Sequence, residues 1–79
     1  MSARAFPRLR DYVAVAAAQG IVVSTCEQDR AGERFLVVML RAPSGAHVVQ
    51  VARELGEELA STSVARLDRG LGIKTGLFR

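Results

Sequence analysis

The stretch SGAHVVQVARELGEELA, residues 44 to 60, decides how the second half of this 79-residue chain is read. Val48, Val51, Ala52, Leu55 and Leu59 recur at the three- and four-residue spacing that places side chains on one helical face. Pro43 ends whatever precedes it, and Ser44 is a residue type whose hydroxyl accepts from the open amides of a first turn. The spacing predicts a helix from about Gly45 to Ala60, with His47 in its first turn, where the positive dipole end disfavours protonation.

Upstream, IVVSTC (21–26) and RFLVVMLR (34–41) are rich in β-branched and aromatic residues. The polar EQDRAGE between them offers Gly32 for a positive φ, so the pair reads as a hairpin. Phe35–Leu40 shows no polar alternation, which predicts a central strand covered on both sides or hidden by its neighbours. Before the hairpin, PRLRDYVAVAAAQ (7–19) carries Leu9, Tyr12, Val13, Ala16 and Ala17 at helical spacing, with Gly20 as a left-handed stop. Its many alanines suit a helix lying close on a sheet.

Downstream of Ala60, Ser61-Thr62-Ser63 leads into VARL (64–67), a turn over Asp68-Arg69-Gly70, and LGIKTGLF (71–78), in which Leu71, Ile73, Thr75 and Leu77 share one parity and Gly72, Lys74, Gly76 and Phe78 the other. This piece reads as two further strands, weakened by glycine. The predicted order is helix, strand, strand, helix, strand, strand. That is an α+β, two-layer domain spanning residues 1–79, two helices packed on an antiparallel sheet. The order repeats a helix-hairpin unit, but the halves share little identity, so a single domain is the simpler reading than a duplication. The exposed parity of the last strand allows edge-to-edge pairing into a homodimer.

The tail GLGIKTGLFR (70–79) has the glycines, lysine and threonine of a phosphate loop without its geometry. Ile73 stands where a glycine must precede the lysine, and four residues after Thr75 cannot form the helix whose amides hold phosphate. An edge strand explains the tail better. Cys26 and His47 are the one thiol-imidazole combination in the chain, and nothing in their spacing brings them together. Glu54, Glu57 and Glu58 cluster on one face of the predicted helix, with Arg53 four residues before Glu57, as a solvated face does. Neither a nucleophile with a base, a cofactor loop nor a metal cluster emerges, and the chain reads as non-catalytic and cofactor-free.

A composition of 49 % hydrophobic and 24 % charged residues belongs to ordered globular chains. No apolar run, Phe35–Leu40 included, approaches the roughly 18 to 20 residues of a membrane span. Arg4, Arg8 and Arg10 are followed by Asp11-Tyr12 rather than by the apolar centre of a secretory signal. A single cysteine also fits a reducing compartment, so a cytoplasmic protein is expected.

The formal charge is +3, and its distribution says more than its sum. Residues 1–11 carry +2, residues 66–79 carry +3, and the stretch between them −2. Arg8, Arg10, Arg66, Arg69, Lys74 and Arg79 are therefore the candidate partner-binding residues, a basic patch for phosphates or an acidic protein surface if the two ends lie together. A helix-turn-helix mode needs a basic recognition helix, and the predicted second helix is acidic; no aromatic interleaving supports stacking on single strands.

Ten arginines against one lysine, with twelve alanines and ten valines, match the codon bias of a GC-rich bacterial or phage genome. In this general character the chain resembles the small inhibitors carried by phages and mobile elements, of which anti-CRISPR proteins are the best-known type. The resemblance implies a stoichiometric, non-catalytic binding protein that docks on a protein or ribonucleoprotein partner such as a CRISPR effector. It would block target DNA or nuclease recruitment there. It carries over no residue positions. The alternative is a small basic module that binds RNA or DNA through its termini.

Overall fold

The computed structural model describes residues 7–73. Its order is α1 (Leu9–Ala18), β1 (Val22–Arg30), β2 (Glu33–Arg41), β3 (His47–Ala52) and α2 (Ser61–Gly70). The three strands form one antiparallel sheet in the order β1-β2-β3.

The first half follows its sequence signals. Leu9, Tyr12 and Ala16 form the buried stripe of α1, and Gly20 leaves it at φ +85°. The N–H of Arg8 donates to the Asp11 carboxylate at 3.0 Å, while those of Leu9 and Arg10 donate to the carbonyls of Glu57 and Leu55, each at 2.8 Å. A later loop thus satisfies amides that a helix start leaves open.

The β1–β2 hairpin is longer than its apolar residues imply. The ladder runs from Val22 opposite Arg41 to Arg30 opposite Glu33, and takes in the polar residues 27–30. The two-residue turn has φ +51° at Ala31 and +82° at Gly32, the left-handed pair of a type I′ turn. Alanine is a poor occupant of that conformation. Ala31→Asn is expected to raise stability by about 0.5 to 1 kcal/mol, read from the urea midpoint by circular dichroism. An unchanged midpoint would count against strain at this turn.

The second half differs from the predicted order. Residues 47–52, expected in a helix over 45–60, are strand β3, and residues 53–60 are an irregular connection. The reason is tertiary. The amides and carbonyls along one side of β2 need partners in a buried sheet, and β3 supplies them from Leu36–Ala52 to Arg41–His47. VARL, expected as a strand, lies within α2, because Val64, Leu67 and Leu71 at spacings of three and four bury one helical side. Among the described residues the order is therefore α-β-β-β-α, with three strands, and the repeated helix-hairpin order is not seen there. Leu71 and Gly72 form a turn rather than the start of a strand, and residues 74–78 of the expected final strand lie outside the described residues.

Both helices cover one face of the sheet, α1 over β1 and α2 over β3. Val38 and Leu40 of the central strand are fully buried there, with Leu9, Tyr12, Ala16, Leu59, Leu67 and Leu71 above them. Gly70 allows the last turn of α2 to lie directly on β3: a Cβ there would come within 3.0 Å of the Val48 side chain. The Tyr12 hydroxyl donates to Asp68 Oδ1 at 2.6 Å and links the two helices.

Candidate interaction surface

Strand parity fixes which residues share the other face. Leu36, Val38 and Leu40 point to the helices, so Phe35, Val37 and Met39 point away, with Val22, Ser24 and Cys26 on β1 and His47, Val49 and Val51 on β3. An antiparallel sheet with one solvated face normally alternates apolar and polar. Here the second face is apolar as well. Val22, Met39, Val49 and Val51 stand 62, 48, 40 and 50 % exposed. Among the described residues the central strand is thus covered by helices on one face only, which corrects the two-sided form of the expectation drawn from its unbroken apolar run, while β1 and β3 flank it as the other form had it.

Near one end of this face a shallow groove of about 320 Å³ is lined by Val22, Ser24, Met39, Arg41 and His47 together with Leu40. At the other end the Arg53 guanidinium lies over the Phe35 ring, 5.7 Å from its centre, and bonds Glu33 at 3.1 Å. Among the described residues the charged side chains sharing the outer face are Arg30, Arg41 and Arg53 against Glu33, so the rim they form is positive.

The candidate arginines are placed as follows. Arg8 bonds the Gly56 carbonyl and approaches Glu58 at 4.0 Å. Arg66 reaches from α2 to β3, where it bonds the Val49 carbonyl at 3.3 Å and the Gln50 side-chain oxygen. Arg10 and Arg69 are exposed on α1 and α2. These four belong to the helical layer, on the side of the sheet opposite the apolar face, and two of them are engaged in holding the fold. Lys74 and Arg79 lie outside the described residues. Residues 7–73 contain eight arginines and eight carboxylates, so the excess of positive charge belongs to Arg4, Lys74 and Arg79.

Cys26 is exposed in the middle of β1 rather than at the end of a buried strand. It faces Val37, whereas His47 faces Arg41 on the opposite side of β2. Four residues along a strand is about 13 Å, so the thiol and imidazole are beyond hydrogen-bond reach. His47 stands at the start of β3 rather than in the first turn of a helix. Glu54, Glu57 and Glu58 do not share a helical face: Glu57 accepts from the Arg53 N–H at 2.8 Å and Glu58 approaches Arg8. Among the described residues no three His, Cys, Asp or Glu side chains converge on a common centre, and no helix is long and apolar enough to cross a membrane.

The outer face went unrecognised from sequence, although its signal was present in the absence of alternation in Phe35–Leu40. No protein-family model, curated protein or solved structure matches the chain.

Proposed function

We propose that this is a non-catalytic binding protein that docks through the outer face of its sheet on a protein surface with an apolar centre and carboxylates at its rim. The observation that carries this reading is that four large apolar side chains stand 40 % or more exposed on one sheet face. The arginines around them outnumber the single carboxylate, and this favours an acidic rim on the partner. In its concrete form the protein is a stoichiometric inhibitor of a guide-RNA effector complex, the class it resembles in size and composition. The nucleic-acid reading is less favoured, because Arg8 and Arg66 are occupied within the fold and residues 7–73 are electrically balanced.

The test is binding to a panel of purified CRISPR effector complexes, with target-DNA loading as the second readout. Wild-type protein is expected to bind one of them and block loading at one equivalent. Met39→Glu and Val49→Glu are expected to weaken binding at least tenfold by burying a charge at the contact, with circular dichroism unchanged. Arg10→Glu and Arg69→Glu are expected to bind as wild type. Absence of binding across the panel overturns the inhibitor form, and full binding by both outer-face variants overturns the surface. Salt-steep binding to RNA or DNA that is lost when Arg10, Arg69 and Lys74 become alanine would establish the nucleic-acid reading instead.

A further inference from the structure

We infer that the free edge of β1 is a self-pairing surface, on which a second copy of the chain adds its own β1 antiparallel and centred on Cys26, giving one six-stranded sheet. This pairing uses an edge rather than the outer face, and it is independent of the function proposed above.

The type I′ turn makes Arg30–Glu33 a pair that exchanges both main-chain hydrogen bonds. Alternation along the ladder then directs Val22, Ser24, Cys26, Gln28 and Arg30 toward β2. The N–H and C=O groups of Val23, Thr25, Glu27 and Asp29 point outward, and among the described residues nothing bonds to them. The other edge of the sheet is treated differently. On β3 the outward carbonyl of Val49 accepts from Arg66 at 3.3 Å, and that of Val51 accepts from the Gln50 side chain at 3.2 Å. Just beyond the strand, the Arg53 N–H is held by Glu57. Side chains blunt one edge, while nine residues of β1 remain a template for another strand.

Charge then selects the occupant and the register. In a two-fold antiparallel pair one residue lies opposite its own counterpart. An axis at Glu27 or Asp29 sets like carboxylates face to face, and an axis at Gln28 sets Glu27 against Asp29 twice. Centring on Cys26, the middle of Val22–Arg30, pairs the whole strand and removes those clashes. Thr25 then meets Glu27 of the second copy, Ser24 meets Gln28, Val23 meets Asp29 and Val22 meets Arg30. The neutral half of each strand lies along the charged half of the other, and every outward main-chain group gains a partner. Centring on Thr25 or Ser24 leaves the charged end of β1 unpaired. In the Cys26 register the two thiols face each other as a non-hydrogen-bonded pair, with Cα atoms about 4.5 Å apart.

Sedimentation equilibrium across the micromolar range, combined with thiol oxidation by copper phenanthroline, tests this. Wild-type protein is expected to sediment as a dimer and to cross-link nearly completely through Cys26. Arg30→Cys in a Cys26→Ser background should remain a dimer without cross-linking, since its thiols would be about 27 Å apart. Thr25→Pro is expected to be monomeric yet folded, because the amide it loses points away from β2. Cys26→Glu, which retains every main-chain donor, should also be monomeric. A monomeric wild type overturns the inference. So does a dimer that survives both Thr25→Pro and Cys26→Glu but is lost in Met39→Glu, which would move the contact to the outer face.

Discussion

Leu40→Ala is expected to lose about 2 to 5 kcal/mol of stability, while Met39→Ala, one residue away, stays within about 0.5 kcal/mol of wild type. The two side chains leave the same strand on opposite faces. Leu40 is fully buried between Val23 and Val48 on the flanking strands, beneath the helices, and Met39 is 48 % exposed. Truncating Leu40 removes its transfer free energy and leaves a void that two helices and a three-stranded sheet cannot readily close. At about 0.05 to 0.15 kcal/mol per residue, a domain this small holds only roughly 4 to 12 kcal/mol in total. The loss is therefore a large share of the whole, and a clearly lower urea midpoint is the expected outcome. Urea unfolding followed by far-ultraviolet circular dichroism measures both variants. Equal midpoints would mean that the helices do not rest on the Leu40 face.

The same pair explains what could be read from sequence. The α1 stripe, its stop at Gly20, the hairpin and the central position of residues 34–41 rest on local signals: spacing, turn chemistry and β-branched content. Residues 47–60 defeated local reading because Val48 and Ala52 satisfy both periodicities. They lie four apart on a helix face and two steps apart on a strand face. What chose the strand was the hydrogen-bonding side of β2 left open by β1, a requirement that no window around residue 50 contains. The misassigned helix then displaced the real one. Val64, Leu67 and Leu71 have helical spacing, and Ser61-Thr62-Ser63 precedes them, but the alternation of Leu71, Ile73 and Leu77 across Gly72 and Gly76 gives the same stretch a competing strand signal. The interaction surface followed the same course. Charge counted along the chain pointed to its ends, whereas the outer face exists only once β1, β2 and β3 are aligned and their odd and even residues separate.

Alkaline pH is expected to unfold the protein through Tyr12, and Tyr12→Phe is expected to remove that dependence. The phenol is fully buried in the core, and its hydroxyl donates to Asp68 on the neighbouring helix. Burial, then the hydrogen bond to Asp68, then the charge of that carboxylate all push its pKa well above the free value of 10.0. The sign follows from which state ionises first. Below pH 10 the phenol keeps its proton in both folded and unfolded chains, and its contribution to stability is complete. Above pH 10 the unfolded chain releases the proton while the folded one holds it, so stability falls by about 1.4 kcal/mol per pH unit until the folded-state pKa is reached. Two units above the free value the loss is about 2.7 kcal/mol, a large part of the reserve of a domain of this size. In Tyr12→Phe the half-buried Asp68 carboxylate loses a donor, and the variant should start roughly 1 to 3 kcal/mol lower at neutral pH. Its stability should then decline little between pH 9 and 12, because Tyr12 is the chain's single tyrosine and Lys74 its single lysine. Urea midpoints of both proteins across that range decide the matter: converging curves support the buried phenol as the alkaline trigger, and parallel ones would assign the loss to another group.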